Sequence, residues 1–101
     1  MRTGRVEYFP EASRELEDAL EWYLQRSLQA AEAFLRETER AVAVIAEAPG
    51  IWPLFEAGTR RYILHRFPYN IIYREAERGI EVVAVAHHKR RPRYWYSRLR
   101  R

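Results

Sequence analysis

Residues 61–86 read RYILHRFPYNIIYREAERGIEVVAVA, and their periodicity decides the architecture. Arg61 to Phe67 alternates between apolar and polar side chains, and Pro68 interrupts the pattern. Tyr69 to Arg74 alternates again, with Tyr69, Ile71 and Tyr73 on one side and Ile72 on the other. A period of two is the signature of a strand with one face buried. Glu77-Arg78-Gly79 reads as a hairpin turn. Ile80 to Ala86 is almost wholly apolar, as a central strand covered on both faces must be. The second half of the chain is therefore sheet.

Working outward, the N-terminal half changes period. Residues 5–9 (RVEYF) alternate and stop at Pro10, which predicts a short first strand. Ala12, Leu16, Leu20 and Tyr23 then fall on one helical face, with Glu15, Glu17, Asp18 and Glu21 on the others. That spacing predicts an amphipathic helix from Pro10 to Ser27. Pro10 suits the first turn, and Glu11 and Glu15 suit the positive N-terminal end. Ser27 is a candidate cap for a second helix, with Ala30, Phe34, Ala41 and Ile45 as its apolar stripe and an end near Ala48-Pro49-Gly50. So short a join requires antiparallel helices. Residues 49–59 (PGIWPLFEAGT) form a loop, with Trp52 expected to plug one end of the core. The order β-α-α-β-β-β predicts an α+β domain: a twisted, mainly antiparallel sheet with a helical hairpin on one face.

Composition bounds the function. A chain of 101 residues is one domain, and 48% hydrophobic residues supply a small core. There is no cysteine, which excludes disulfides and Cys-based zinc sites. No signal-peptide pattern opens the chain, and no apolar run approaches the roughly 20 residues of a membrane span. A cytoplasmic protein is expected. Residues 1–50 carry six basic and ten acidic groups; residues 51–101 carry twelve basic and four acidic groups. The halves thus stand at −4 and +8, and their sum is the net charge of +4. The second half is suited to a polyanion or an acidic partner.

Much of that charge lies in residues 87–101, HHKRRPRYWYSRLRR: Lys89, Arg90, Arg91, Arg93, Arg98, Arg100 and Arg101, with no acid among them. Trp95 is expected to pack this tail on the sheet, leaving Arg90, Arg91, Arg93 and Tyr96 to face a target or a restraining partner. His87, at the end of a buried strand, most simply serves as a hydrogen-bonded structural residue, although its reference pKa also suits acid–base work. His87 and His88 are adjacent strand residues on opposite faces, a poor metal site. No metal or cofactor is expected.

Four local patterns resemble the RelE/ParE superfamily of toxins from bacterial type II toxin–antitoxin systems. They are Phe9-Pro10-Glu11-Ala12, Ala19-Leu20-Glu21-Trp22-Tyr23, Arg66-Phe67-Pro68-Tyr69-Asn70-Ile71-Ile72-Tyr73, and Val83 to His87 followed by Lys89-Arg90-Arg91-Pro92 and Tyr94-Trp95. The β-α-α-β-β-β order agrees. The resemblance implies a partner antitoxin, a hetero-oligomer with it, and one of two activities: poisoning of DNA gyrase, as in ParE-like members, or cleavage of ribosome-bound mRNA, as in RelE-like members.

For RNA cleavage the resemblance nominates Arg90 and Tyr96, which have the RelE-like spacing, with Arg61 as a second cation and His87 as acid or base. Arg60, Arg66, Lys89, Arg91, Arg93 and Tyr94 are the candidate target- or antitoxin-binding residues. Lys89 is the only lysine of the chain, whereas RelE-like enzymes resemble one another in a lysine-rich second strand. Arginine stays charged and is a poor proton acceptor. The expectation is therefore a ParE-like gyrase inhibitor. An mRNA endoribonuclease is the alternative, and a non-toxic basic nucleic-acid-binding domain the second alternative.

Overall fold

The computed structural model describes residues 4–100, so Arg101 of the basic tail lies outside the described residues. The elements are β1 (Arg5–Tyr8), α1 (Pro10–Leu24), α2 (Leu28–Glu47), β2 (Arg60–Ile63), β3 (Tyr69–Ala76) and β4 (Gly79–His87), with 3-10 turns at Glu56–Gly58 and Tyr96–Arg100. The four strands form one mixed sheet in the order β1-β4-β3-β2. β1 runs parallel to β4, and the other neighbours are antiparallel. The α+β class and the β-α-α-β-β-β order read from the sequence are those observed.

Boundaries moved for local reasons. Phe9 is the N-cap of α1, with Pro10 opening the helix, so β1 ends at Tyr8. α1 stops at Leu24 rather than Ser27 because Ser27 begins the next helix: its Oγ accepts the Ala30 N–H at 3.1 Å. β2 ends at Ile63 rather than Phe67. Beyond it, the Glu37 carboxylate of α2 accepts the backbone N–H groups of His65 and Arg66 and draws the chain off the sheet. The hairpin between β3 and β4 is two residues long, Glu77 and Arg78. Gly79 is required where β1 meets β4: its φ is +155°, and a Cβ would stand 1.9 Å from the Arg5 carbonyl oxygen.

β4 has a bulge. Ile72 pairs with Ala84 and Tyr73 with Val82, which leaves Val83 without a partner on β3. The phase of β4 shifts there. Ile80, Val82 and Val85 join Phe34, Ile45, Ile71 and Tyr73 in the core beneath the helices. Val83, Ala84 and Ala86 join Ile72 in a second cluster, which Trp95 of the tail covers. Both faces of the central strands are thus buried, each large side chain contributing about 1.5–3 kcal/mol. Among the described residues, no helix is long and apolar enough to cross a membrane.

Candidate functional site

The C-terminal tail is positioned by a carboxylate from the other end of the chain. The last rung between β1 and β4 is Phe9 N–H to Val82 O, 2.9 Å. Beyond it the chain turns into α1 and leaves the Val83 carbonyl and the Val85 N–H at an open edge. Side chains fill the vacancy. Arg98 Nη1 donates to Val83 O at 3.0 Å, and Glu15 Oε1 accepts from Val85 N at 3.0 Å. The two side chains also bind each other, Nη1 to Oε1 at 3.0 Å and Nη2 to Oε2 at 2.9 Å. Tyr94 Oη donates to Glu15 Oε2 at 2.6 Å, and the Arg90 guanidinium lies 3.9 Å from the same oxygen and 3.8 Å over the Tyr94 ring.

These contacts set the electrostatics. Burial, then the hydrogen bond to Glu15, pushes the Tyr94 phenol well above its ordinary value. Burial opposes the charge on Arg98, but the Glu15 carboxylate more than offsets it and holds the guanidinium above its ordinary value. Glu15 is thus not on a solvent face of α1, as its charge suggested. It stands three residues after Ala12 and four before Ala19, both buried, and that spacing is the sequence signal that marks the inner face. Arg98, one of the seven cations of the tail, is 8% exposed.

On the face of the sheet opposite the helices, a cavity of about 190 Å³ gathers Arg61, His87, Arg90, Arg91, Arg93 and Tyr94, with Asn70, Glu56 and Trp95. Arg61 stacks over the Phe55 ring at 4.3 Å. Arg93 reaches Glu56 at 3.4 Å. His87 packs edge-on against Tyr69, ring centroids 5.0 Å apart, and its Nδ1 accepts the Lys89 N–H at 3.0 Å. Burial, followed by the charges of His88 and Lys89, lowers its pKa. The neutral ring therefore carries its proton on Nε2 and offers a donor rather than a base. The ring of His88 pairs instead with Asn70, Nε2 to Oδ1 at 3.1 Å.

The remaining sequence-predicted residues do not line this cavity, although Tyr96 borders it through Arg93, whose guanidinium lies 5.9 Å over the Tyr96 ring. Tyr96 is half-buried against Trp95, ring centroids 4.9 Å apart, and is not part of the cavity wall. Arg60 turns to the Trp52 carbonyl at 2.7 Å and to Glu75 at 3.2 Å. Arg66 is held by Glu37 at 3.2 Å beside the α2 helix. Lys89 is exposed. Trp95, 3% exposed, seals the tail to the sheet. A larger cleft of about 430 Å³ shares His87 and Arg90 and is walled on the other side by Glu15, Asp18, Trp22, Tyr23 and Tyr69. Among the described residues, no group of three or more His, Asp or Glu is placed to hold a metal ion.

The fold recurs in a solved structure of a chromosomal ParDE toxin–antitoxin system from P. aeruginosa, with a TM-score of 0.72 and 15% sequence identity over 84% of this chain and 96% of that one. No curated protein matches the sequence. The model of the ParE toxin of the type II toxin–antitoxin system parDE matches residues 6–92, from the second residue of β1 to the middle of the tail. A match of that extent, over both helices and all four strands, establishes that the chain belongs to the ParE toxin family of type II toxin–antitoxin systems.

Proposed function

We propose that the protein is a growth-inhibiting toxin that poisons DNA gyrase in the cytoplasm and is held in check by a cognate antitoxin, as a hetero-oligomer. Membership of the ParE family supports the toxin role and the antitoxin partner. The observation that carries the choice of gyrase over mRNA is the composition of the basic cavity. Of the four residues a RelE-like cleavage would use, Arg61, His87 and Arg90 line it, but Tyr96 does not. The two arginines stay charged, and the free nitrogen lone pair of neutral His87 is taken by Lys89. None of the three offers a proton acceptor to a ribose hydroxyl. The arginines suit the cavity to an anionic group.

The test is inducible expression in bacteria together with supercoiling assays on purified protein. Growth arrest with an SOS response, and inhibited supercoiling in vitro, is the expected result. Arrest with cuts at ribosomal A sites and untouched gyrase would overturn it. The clustering of Arg61, His87 and Arg90 favours that endoribonuclease as the second reading.

A further inference from the structure

Arg61 and Ile72 are partners across β2 and β3, and Ile72 belongs to the cluster under Trp95. Directly opposed residues share a face, so Arg61 stands on the tail side of the sheet. There it meets Arg90, Arg91 and Arg93 around the cavity of about 190 Å³. Four guanidinium groups line this cavity against one carboxylate, Glu56. Glu56 binds Arg93, and Arg90 shares Glu15 with Arg98. Among the described residues no carboxylate lies within ion-pair distance of Arg61 or Arg91. Charge so concentrated repels itself unless an anion enters.

The cations are held ready. Arg61 stacks over Phe55 at 4.3 Å and Arg90 over Tyr94 at 3.8 Å. A guanidinium seated on a ring keeps its N–H edges free for a phosphate. Arg93 has a φ of +64°, in the left-handed region that a residue with a Cβ rarely takes, and such strain gathers at ligand sites.

Size and surroundings define the ligand. Small-molecule sites span about 300–1,000 Å³, so a cavity of about 190 Å³ takes one group of a larger molecule. Single-stranded nucleic acid binds through open aromatic faces on which bases stack. Here Phe55 is covered by Arg61 and packs on Trp95, and Tyr94 is covered by Arg90 and Arg98. An acidic polypeptide would also need apolar anchors, but Ile72, Ala86 and Trp95 behind the cavity are at most 5% exposed. A duplex backbone needs neither rings nor anchors.

We propose that this cavity binds the sugar–phosphate backbone of duplex DNA, seating a phosphate among Arg61, Arg90, Arg91 and Arg93. Contacts of this kind position a protein on a duplex and carry no sequence information. The site goes beyond the gyrase reading and does not rest on it. Taken with that reading, it means that the toxin meets gyrase where the enzyme already holds DNA, and that the DNA is part of the surface recognised.

The experiment is fluorescence anisotropy of the purified full chain with a short labelled duplex over a series of salt concentrations. Log affinity should fall linearly with log salt, by about 0.9 for each phosphate neutralised. Arg61→Gln and Arg91→Gln should each weaken binding several-fold and flatten that slope by about one. Arg36→Gln removes the same charge from an exposed position of α2 and should leave the slope nearly unchanged. The Arg91 side chain is exposed and has no partner among the described residues, so Arg91→Gln tests the site even where Arg61→Gln disturbs Phe55. No duplex binding, equal binding of the single strand, or an equal loss with Arg36→Gln would each overturn the proposal. Displacement of the duplex by polyglutamate at matched charge would overturn it too, and would assign the cavity to an acidic polypeptide. Gyrase inhibition, read separately by supercoiling, stands or falls independently of these outcomes.

Discussion

Glu15 of α1 and Arg98 of the last 3-10 turn, 83 residues apart, form a two-bonded ion pair whose side chains are 13% and 10% exposed. The pair also closes the β4 edge through Val85 and Val83. Breaking one partner of a buried pair leaves the other charge uncompensated, at a cost of about 3–5 kcal/mol. Glu15→Ala should lose an amount of that order in urea denaturation, and Glu15→Ala with Arg98→Met should cost clearly less than the sum of the two single changes. Additive losses would show that the two residues act independently.

Trp95 ties the tail to Ile72, Val83, Ala84 and Ala86. Trp95→Ala should destabilise the protein by about 3–5 kcal/mol and release Tyr94 from Glu15, restoring a near-ordinary phenol titration. A stable variant whose Tyr94 still titrates high would mean that the ion pair alone holds the tail.

Glu37 should make stability depend on acid. Burial opposes its charge, but the N–H groups of His65 and Arg66 and the Arg66 guanidinium outweigh this and lower its pKa below 4.5. A carboxyl with a depressed folded pKa stabilises the fold above the unfolded value. That contribution disappears as pH falls through the folded value. Urea midpoints of the parent should therefore drop below about pH 4.5 more steeply than those of Glu37→Gln. Parallel curves would remove Glu37 from the account of β2's early end.

His87 should remain neutral at pH 7. Its pKa lies below 6.5 through burial first, then the charges of His88 and Lys89. Protonation on acidification therefore costs folding free energy, so stability falls as pH drops below the unfolded value. Proton NMR of the imidazole should show a midpoint under 6.5, moved upward by Lys89→Gln.

Tyr96 discriminates the two toxin chemistries. It packs on Trp95 outside the basic cavity, so Tyr96→Phe should inhibit growth as the parent does. Loss of inhibition with retained folding, measured by circular dichroism, would return Tyr96 to a catalytic role.

The fold was largely legible because two periods, 2 and 3.6, switch cleanly at Pro10 and again in the loop before β2. Local patterning also located the cap at Ser27 and the anchor at Trp95. It missed what depends on distant pairing. Nothing near Glu15 shows that an arginine 83 residues away neutralises it, and a tail without acids gives no hint that Glu15 and Glu56 come to meet it. Nor does an apolar run such as residues 80–86 reveal a bulge, since every side chain in its second half is acceptable on either face.

That bulge makes β4 one residue longer than its partnership with β3 needs. A chain lacking Val83 would keep Ile80, Val82 and Val85 beneath the helices and Ala84 and Ala86 beneath Trp95. It would lose the carbonyl that Arg98 reaches. The surplus residue is therefore a mooring point: trimming it would leave the sheet more regular and the basic tail adrift.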